Sequence, residues 1–229
     1  MTTASMKIYT WWRSQASFRV RIALRLKGLD AEMIFIDLSK DDQFAANYRF
    51  INPEMVLPTL IDGEGPPLRQ SLAILEYLEE QYPERPLLPK DAHARAHVRA
   101  IAQVVAVDAH PFVVPRVRKY LERELGLDEA TRMRWSQHWL DSATRTIEDM
   151  LSRDPRTGRF CCGDAPTIAD ICLIPHLTSA KMLYGCDLEP YPIVRQIFDT
   201  CMQIDAFALA HPLQQPDAPD FVSDSPGQR

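Results

Sequence analysis

Glycine is scarce in this chain, eight residues against 18 prolines. The close pair Gly63 and Gly65 is followed by Leu68 where the third glycine of a dinucleotide-binding turn would stand, so that fingerprint and the phosphate-cradling loop are both absent. There is no Cys-x-x-Cys spacing, because the five cysteines fall at 161, 162, 172, 186 and 201. An odd number confined to the second half reads as reduced core thiols in a cytoplasmic protein, not as a disulfide framework or a zinc knuckle. His93 and His97 have the spacing of a zinc helix but lack the glutamate that follows the first histidine, so no metal site is expected. Long apolar runs are missing too. Ala100 to Val107 is stopped by Asp108, well short of the roughly 18 residues a membrane span needs. The polar start, Met1 to Met6, has no basic and apolar signal segment, so export is not expected. Basic residues are outnumbered, giving a net charge of −5, which disfavours nucleic acid as a partner.

What is present is a globular composition over 229 residues, 46% hydrophobic and 25% charged. The first part alternates strand and helix signals. Lys7 to Trp12 is β-prone; Phe18, Ile22 and Leu26 follow at helical spacing, closed by Gly28. Ala31 to Leu38 reads as a strand, Asp41 to Arg49 as a helix or irregular turn, and Thr59 to Asp62 as a strand entered through Leu57-Pro58. A turn over Gly63 to Pro67 leads to a short strand ending at Gln70, and Ser71 caps a helix bearing Leu72, Leu75 and Leu78. This order needs one mixed sheet covered by helices.

The proline-dense stretch from Glu84 to Pro89 breaks the pattern, and beyond it strand signals give way to helical ones. Val98, Ile101 and Val105 share a face, as do Trp135, Trp139, Ala143, Ile147 and Met150. Thr167-Ile168-Ala169-Asp170 has the form of a capping box, and Pro192 opens a last helix through Cys201. The spacing therefore predicts a sheet domain over 7–86, an all-helical domain over 92–212 and a loose tail over 213–229.

Two serines mark strand-to-helix junctions. Unpaired amides and the positive end of a helix dipole meet there, so Ser14 and Ser71 are candidate anion contacts, or else plain helix caps. Four segments carry a more specific signal. Arg13-Ser14-Gln15-Ala16-Ser17-Phe18-Arg19-Val20-Arg21-Ile22-Ala23-Leu24 resembles the signature Ser-Ser-Cys-Ser-Trp-Arg-Val-Arg-Ile-Ala-Leu of zeta-class glutathione transferases. Asn52-Pro53 with Leu57-Pro58-Thr59-Leu60, Gln70-Ser71-Leu72-Ala73-Ile74-Leu75-Glu76-Tyr77-Leu78, and Leu188-Glu189-Pro190-Tyr191-Pro192 are similar to the same class.

The resemblance implies a thioredoxin-like α/β domain followed by an all-α domain, glutathione as cofactor, a homodimer, and cis-trans isomerisation of maleylpyruvate or maleylacetoacetate. It implies that Ser14 steadies the glutathione thiolate and that Leu57 and a cis Pro58 pair with the cysteinyl part. Gln70 and Ser71 would take the γ-glutamyl end, and His110, followed by Pro111, would contact glutathione. Arg13 would hold a substrate carboxylate, while Arg19 and Arg21 are expected as structural ion-pair residues.

Ala16 stands where the class carries cysteine, and Met182 where a substrate-binding arginine is expected; Lys181 or Arg116 could supply the missing cation. Val113 and Val114 stand where the maleylpyruvate type carries asparagines. These departures keep two alternatives open: a broader transferase or dehalogenase, and a non-catalytic interaction module on the same fold.

Overall fold

The computed structural model describes residues 6–219. Its contacts divide the described residues into two compact units, one comprising 6–78 together with 205–219, the other Glu79–Ile204. The first unit thus takes back a C-terminal segment that the proline-based boundary assigns to the helical domain and tail.

In the first unit, β1 (Met6–Thr10) buries Met6, Ile8 and Thr10 in strict alternation, the period-2 pattern of a half-covered strand. It pairs in parallel with β2 (Ala31–Phe35) and antiparallel with β3 (Thr59–Ile61), which pairs with β4 (Leu68–Arg69). The order is β2-β1-β3-β4. Between β1 and β2 runs α1 (Gln15–Lys27), ended by Gly28 at φ 70°, whose N–H reaches the carbonyls of Arg25 and Leu24. Phe18, Val20, Ile22 and Ala23 are all fully enclosed, so α1 is covered on every side and shows no simple apolar stripe. The stretch read as helix or turn is a 3-10 turn followed by α2 (Ala46–Ile51), and α3 (Ser71–Gln81) follows β4.

The strand expected through Trp12 ends at Thr10, because Trp11 and Trp12 leave the sheet to make other hydrogen bonds. The described part of the expected loose tail is also ordered. Pro212–Gln214 forms a 3-10 turn, and the buried Gln215 side chain donates to the carbonyls of Leu209 and His211 at 3.0 and 2.9 Å. These bonds cancel the chain entropy that its polar composition suggests is retained. The remainder, 220–229, lies outside the described residues.

The second unit holds α4 (Ala92–Ala106), α5 (Pro115–Arg123), α6 (Glu129–Arg153), α7 (Ile168–Tyr184) and α8 (Pro192–Met202), and α9 (Asp205–Ala208) begins the return to the first unit. The helix from Trp135 to Met150 is the inner part of the longer α6. Thr167 and Asp170 form the capping box of α7, and the enclosed Asp170 carboxylate accepts from the N–H groups of Thr167 and Cys161, both at 2.8 Å. The stretch Ala92–Arg123 is long and apolar enough by composition to cross a membrane. Its backbone breaks at the 3-10 turn His110–Phe112, however, and the fully buried Val98, Ile101 and Val105 of α4 form part of the core where α4 packs on α7 and α6. By geometry α4 is a core helix, whereas α5 buries only Leu121. His97 of the paired-histidine spacing lies 3.3 Å from Asp154 and serves the packing of this unit.

Candidate functional site

Ser14 is the N-cap of α1, with extended backbone at φ −71°, ψ 113°. Its Oγ accepts from the Ser17 N–H at 3.2 Å, and its own N–H donates to the Trp11 carbonyl at 3.0 Å. A hydroxyl offers one proton and two lone pairs. The cap uses a lone pair, while the proton has no acceptor among the described residues. The N–H groups of Gln15 and Ala16 cannot bond within the helix and have no other acceptor among the described residues. With no acidic side chain in the first turn, the helix dipole is uncompensated, so this end of α1 offers three donors and a positive field to an anion. The cap bond occupies one lone pair and leaves the hydroxyl proton available, so the cap does not exclude an anion contact.

The second feature is the peptide before β3. Leu57-Pro58 is cis, and neither the N–H nor the C=O of Leu57 makes a hydrogen bond among the described residues. The residues on either side are fixed. Tyr48 donates its hydroxyl to the Val56 carbonyl at 2.6 Å and lies 3.0 Å from Thr59 Oγ1. The enclosed Asn52 donates to the same two oxygens at 2.9 and 3.0 Å. Leu57 is therefore a held, strand-like edge with an open donor and acceptor, suited to pairing with an extended peptide. Asn52 stands out in the sequence, but Tyr48 does not; nothing in its local pattern reveals that it reaches Val56.

The third feature opens α3. Gln70 adopts φ 65°, in the left-handed region that side chains rarely occupy, and its Nε2 donates to Glu54 Oε2 at 2.6 Å. The buried Ser71 hydroxyl accepts from Arg19 Nη1 at 3.1 Å. Arg19, expected as an ion-pair residue, donates to the hydroxyl that opens α3. Arg21 departs from the same expectation. It makes no ion pair among the described residues and donates to Thr10 Oγ1 and to the carbonyls of Trp11, Trp12 and Ala210. Burial pushes its pKa down to about 9, against the pull of Asp217, so it stays charged at neutral pH.

The helical unit carries the other candidates. His110 opens the 3-10 turn His110–Phe112 and is half-buried, while Arg116 is exposed in the first turn of α5. Lys181 stands with Nζ 5.1 Å from the Phe198 ring centroid, a cation–π placement directed at α8, and Met182 beside it is half-buried. Val113 is apolar for a packing reason, lying in a cluster with Leu140, Ala180 and Tyr184. Arg118, which the sequence pattern does not single out, places its guanidinium carbon 5.8 Å from the Tyr184 ring. Phe112 stacks on Trp139 at 4.3 Å and its carbonyl accepts from Trp135 Nε1.

None of these features supplies a thiolate. All five cysteines are free thiols in the helical unit. Burial pushes Cys161, Cys162 and Cys201 up, and Cys186 to about 11, so these four are protonated at neutral pH.

The first unit thus joins a four-stranded mixed sheet, a cis-proline edge with an open backbone donor and acceptor, and two helix starts that carry Ser14 and Ser71, followed in the chain by a helical unit. The chain belongs to the glutathione S-transferase family, within its zeta class. Family models described as the glutathione S-transferase N-terminal and C-terminal domains match residues 8–86 and 134–200. It is 42% identical over 213 residues to the maleylpyruvate isomerase of Ralstonia sp, covering 93% of this chain and all of that one. A solved holo structure of a bacterial zeta-class maleylpyruvate isomerase is 41% identical with a TM-score of 0.90, covering 93% of this chain and all of that chain. The maleylacetoacetate isomerase of Methylobacterium extorquens AM1, solved with malonate and glutathione bound, is 47% identical with a TM-score of 0.90 and covers 93% and 99%.

Proposed function

We propose that this protein is a glutathione-dependent cis-trans isomerase acting on a small unsaturated diacid of the maleylpyruvate or maleylacetoacetate type. The observation that carries it is Ser14, whose hydroxyl oxygen is held by the cap bond and whose proton is available at an uncompensated helix start. The residues fit glutathione. Ser14 and the Gln15 and Ala16 amides suit its sulfur, the open N–H and C=O of Leu57 suit its cysteinyl peptide, and Gln70 with Ser71 suits its γ-glutamyl carboxylate. When bound, glutathione would supply a thiolate nucleophile for reversible addition to the cis double bond.

This chain's residues stabilise charge at each stage. Ser14 donates a charge-assisted hydrogen bond to sulfur, and lowering a thiol pKa from about 8.5 toward 6.5 takes about 2.7 kcal/mol, within reach of such a bond plus a helix dipole. Arg13 offers a planar fork to a substrate carboxylate. His110, Arg116, Lys181 and Met182 are the helical unit's candidate contributions, with Lys181 weakened by its seat over Phe198. The loss of a forked cation at Met182 supports a second reading, in which a neutral electrophile is conjugated or dehalogenated. We infer a cytoplasmic homodimer as the working form; Phe50, 90% exposed on α2, is an apolar side chain that a second copy would cover.

Turnover of maleylpyruvate should require glutathione and leave its concentration unchanged. Stoichiometric loss of glutathione would favour the second reading. Sedimentation should give about twice 26.2 kDa, and a monomer at every concentration would remove the dimer from the account.

Ser71→Ala and Gln70→Ala should weaken glutathione binding about tenfold while the rate at saturation changes less than about twofold, because contacts to the γ-glutamyl end act equally on ground and transition states. Calorimetry with saturation kinetics checks this. A fall in maximal rate at constant affinity would place glutathione the other way round.

A further inference from the structure

In the segment leading into Ser14, Thr10 Oγ1, the Trp11 carbonyl and both backbone groups of Trp12 are held by Arg21 and Asp217. Trp12 donates its N–H to Asp217 Oδ2 at 2.8 Å, and its carbonyl accepts from Arg21 Nη2 at 3.2 Å. The Trp11 carbonyl accepts from Arg21 Nη1 at 3.2 Å and from the Ser14 N–H at 3.0 Å. Thr10 Oγ1 accepts from the same Nη1 at 3.0 Å. The opposite edge of the Arg21 guanidinium, Nε and Nη2, donates to the Ala210 carbonyl, both at 3.2 Å. One enclosed side chain therefore ties three successive residues before the serine to the C-terminal return of the chain.

That return is itself built. Phe207 of α9 is fully buried, and α9 packs on α1. His211 meets the Phe18 ring edge-on at 6.1 Å, and the Gln215 side chain and the Ala218 N–H close the turn that presents Asp217. Asp217 keeps its second oxygen, Oδ1, buried and without a partner among the described residues. A carboxylate oxygen left unpaired away from water costs stability, and the contact of Oδ2 with the Trp12 N–H is kept in spite of that cost.

We propose that Asp217 is a positioning residue for Ser14, acting through the Trp12 peptide, and that the segment 205–219 belongs functionally to the glutathione-activating unit. The inference rests on the reading that Ser14 stabilises the thiolate. Trp12 is caught between Asp217 on its N–H and Arg21 on its carbonyl, and the Ser14 N–H hangs from the adjoining Trp11 carbonyl. Loss of the Asp217 contact frees one side of this clamp and loosens the direction of the Ser14 hydroxyl, with no direct loss of any ligand contact.

The test compares Asp217→Ala, Asp217→Asn and Ser14→Ala in the full chain, reading the ultraviolet thiolate absorbance of bound glutathione against pH, together with kcat and KM. Asp217→Ala should raise the bound-thiol pKa by about half to one unit and lower kcat about three- to tenfold, with KM for glutathione within about twofold. Asp217→Asn, whose amide oxygen still accepts, should recover most of the loss. In the unaltered protein, hydrogen exchange at the Trp12 amide should be slowed at least about a hundredfold relative to an open loop amide. Fast exchange there, or a folded Asp217→Ala with unchanged thiol pKa and kcat while Ser14→Ala shifts both, would overturn the positioning role alone. A Ser14→Ala variant with wild-type thiol pKa and rate would overturn the Ser14 reading and this inference with it.

Discussion

Ser14→Ala is expected to lower glutathione-dependent turnover about 10- to 1000-fold, a loss of roughly 1.4 to 4 kcal/mol of charge stabilisation. The size follows from what the hydroxyl does in the fold. Its oxygen already accepts from the Ser17 N–H with one lone pair, which leaves the proton available to donate. Removing it leaves an anion only the Gln15 and Ala16 amides. The same substitution removes a helix cap, worth about 1 kcal/mol of stability, so the melting temperature should fall by a few degrees. Rate and stability separate the roles: Ser14→Thr keeps cap and donor and should retain most activity, whereas Ser14→Ala should lose thiolate absorbance in parallel with rate. A Ser14→Ala variant that melts lower yet turns over normally would reduce Ser14 to a cap.

Arg13→Met is expected to raise KM for maleylpyruvate about 10- to 150-fold, and Met182→Arg to lower it. A desolvated charge–carboxylate hydrogen bond is worth about 1.5 to 3 kcal/mol, and Met182 offers only dispersion and polarisable contact. Lys181 is a weak substitute, because leaving the Phe198 ring costs it a cation–π contact and its ammonium lacks the matching fork. Saturation kinetics on both variants decides this. An unchanged KM in Arg13→Met would detach the diacid from this arginine, and a Met182→Arg enzyme with no gain would detach position 182 from the substrate.

The parts of the site that are legible in the sequence are those written locally. Ser14 and Ser71 stand at strand-to-helix junctions, and Leu57-Pro58 sits just before a β-prone run, so their neighbours in sequence are also their neighbours in space. The less legible parts depend on partners far along the chain. Arg21 resembles an ion-pair residue until its acceptors prove to be a hydroxyl and three carbonyls, one of them 189 positions away. Asp217 lies in a stretch whose proline, aspartate and serine content reads as a loose end, yet it meets Trp12 at a separation of 205. Trp11 and Trp12 look like strand by propensity, but the clamp on their peptides withdraws them from the sheet, a tertiary override of a local preference. The clasp of Tyr48 and Asn52 around Leu57 is hidden for the same reason, since only the folded loop brings one hydroxyl to the Val56 carbonyl.

Proton NMR of the product formed from maleylpyruvate, with glutathione present in catalytic amount, tests the central claim most directly. The account predicts vinyl protons that shift from a cis to a trans coupling, through many turnovers per glutathione, with the thiol recovered free. A maleylpyruvate signal that stays cis, or product that accumulates as an S-linked glutathione conjugate, would contradict it.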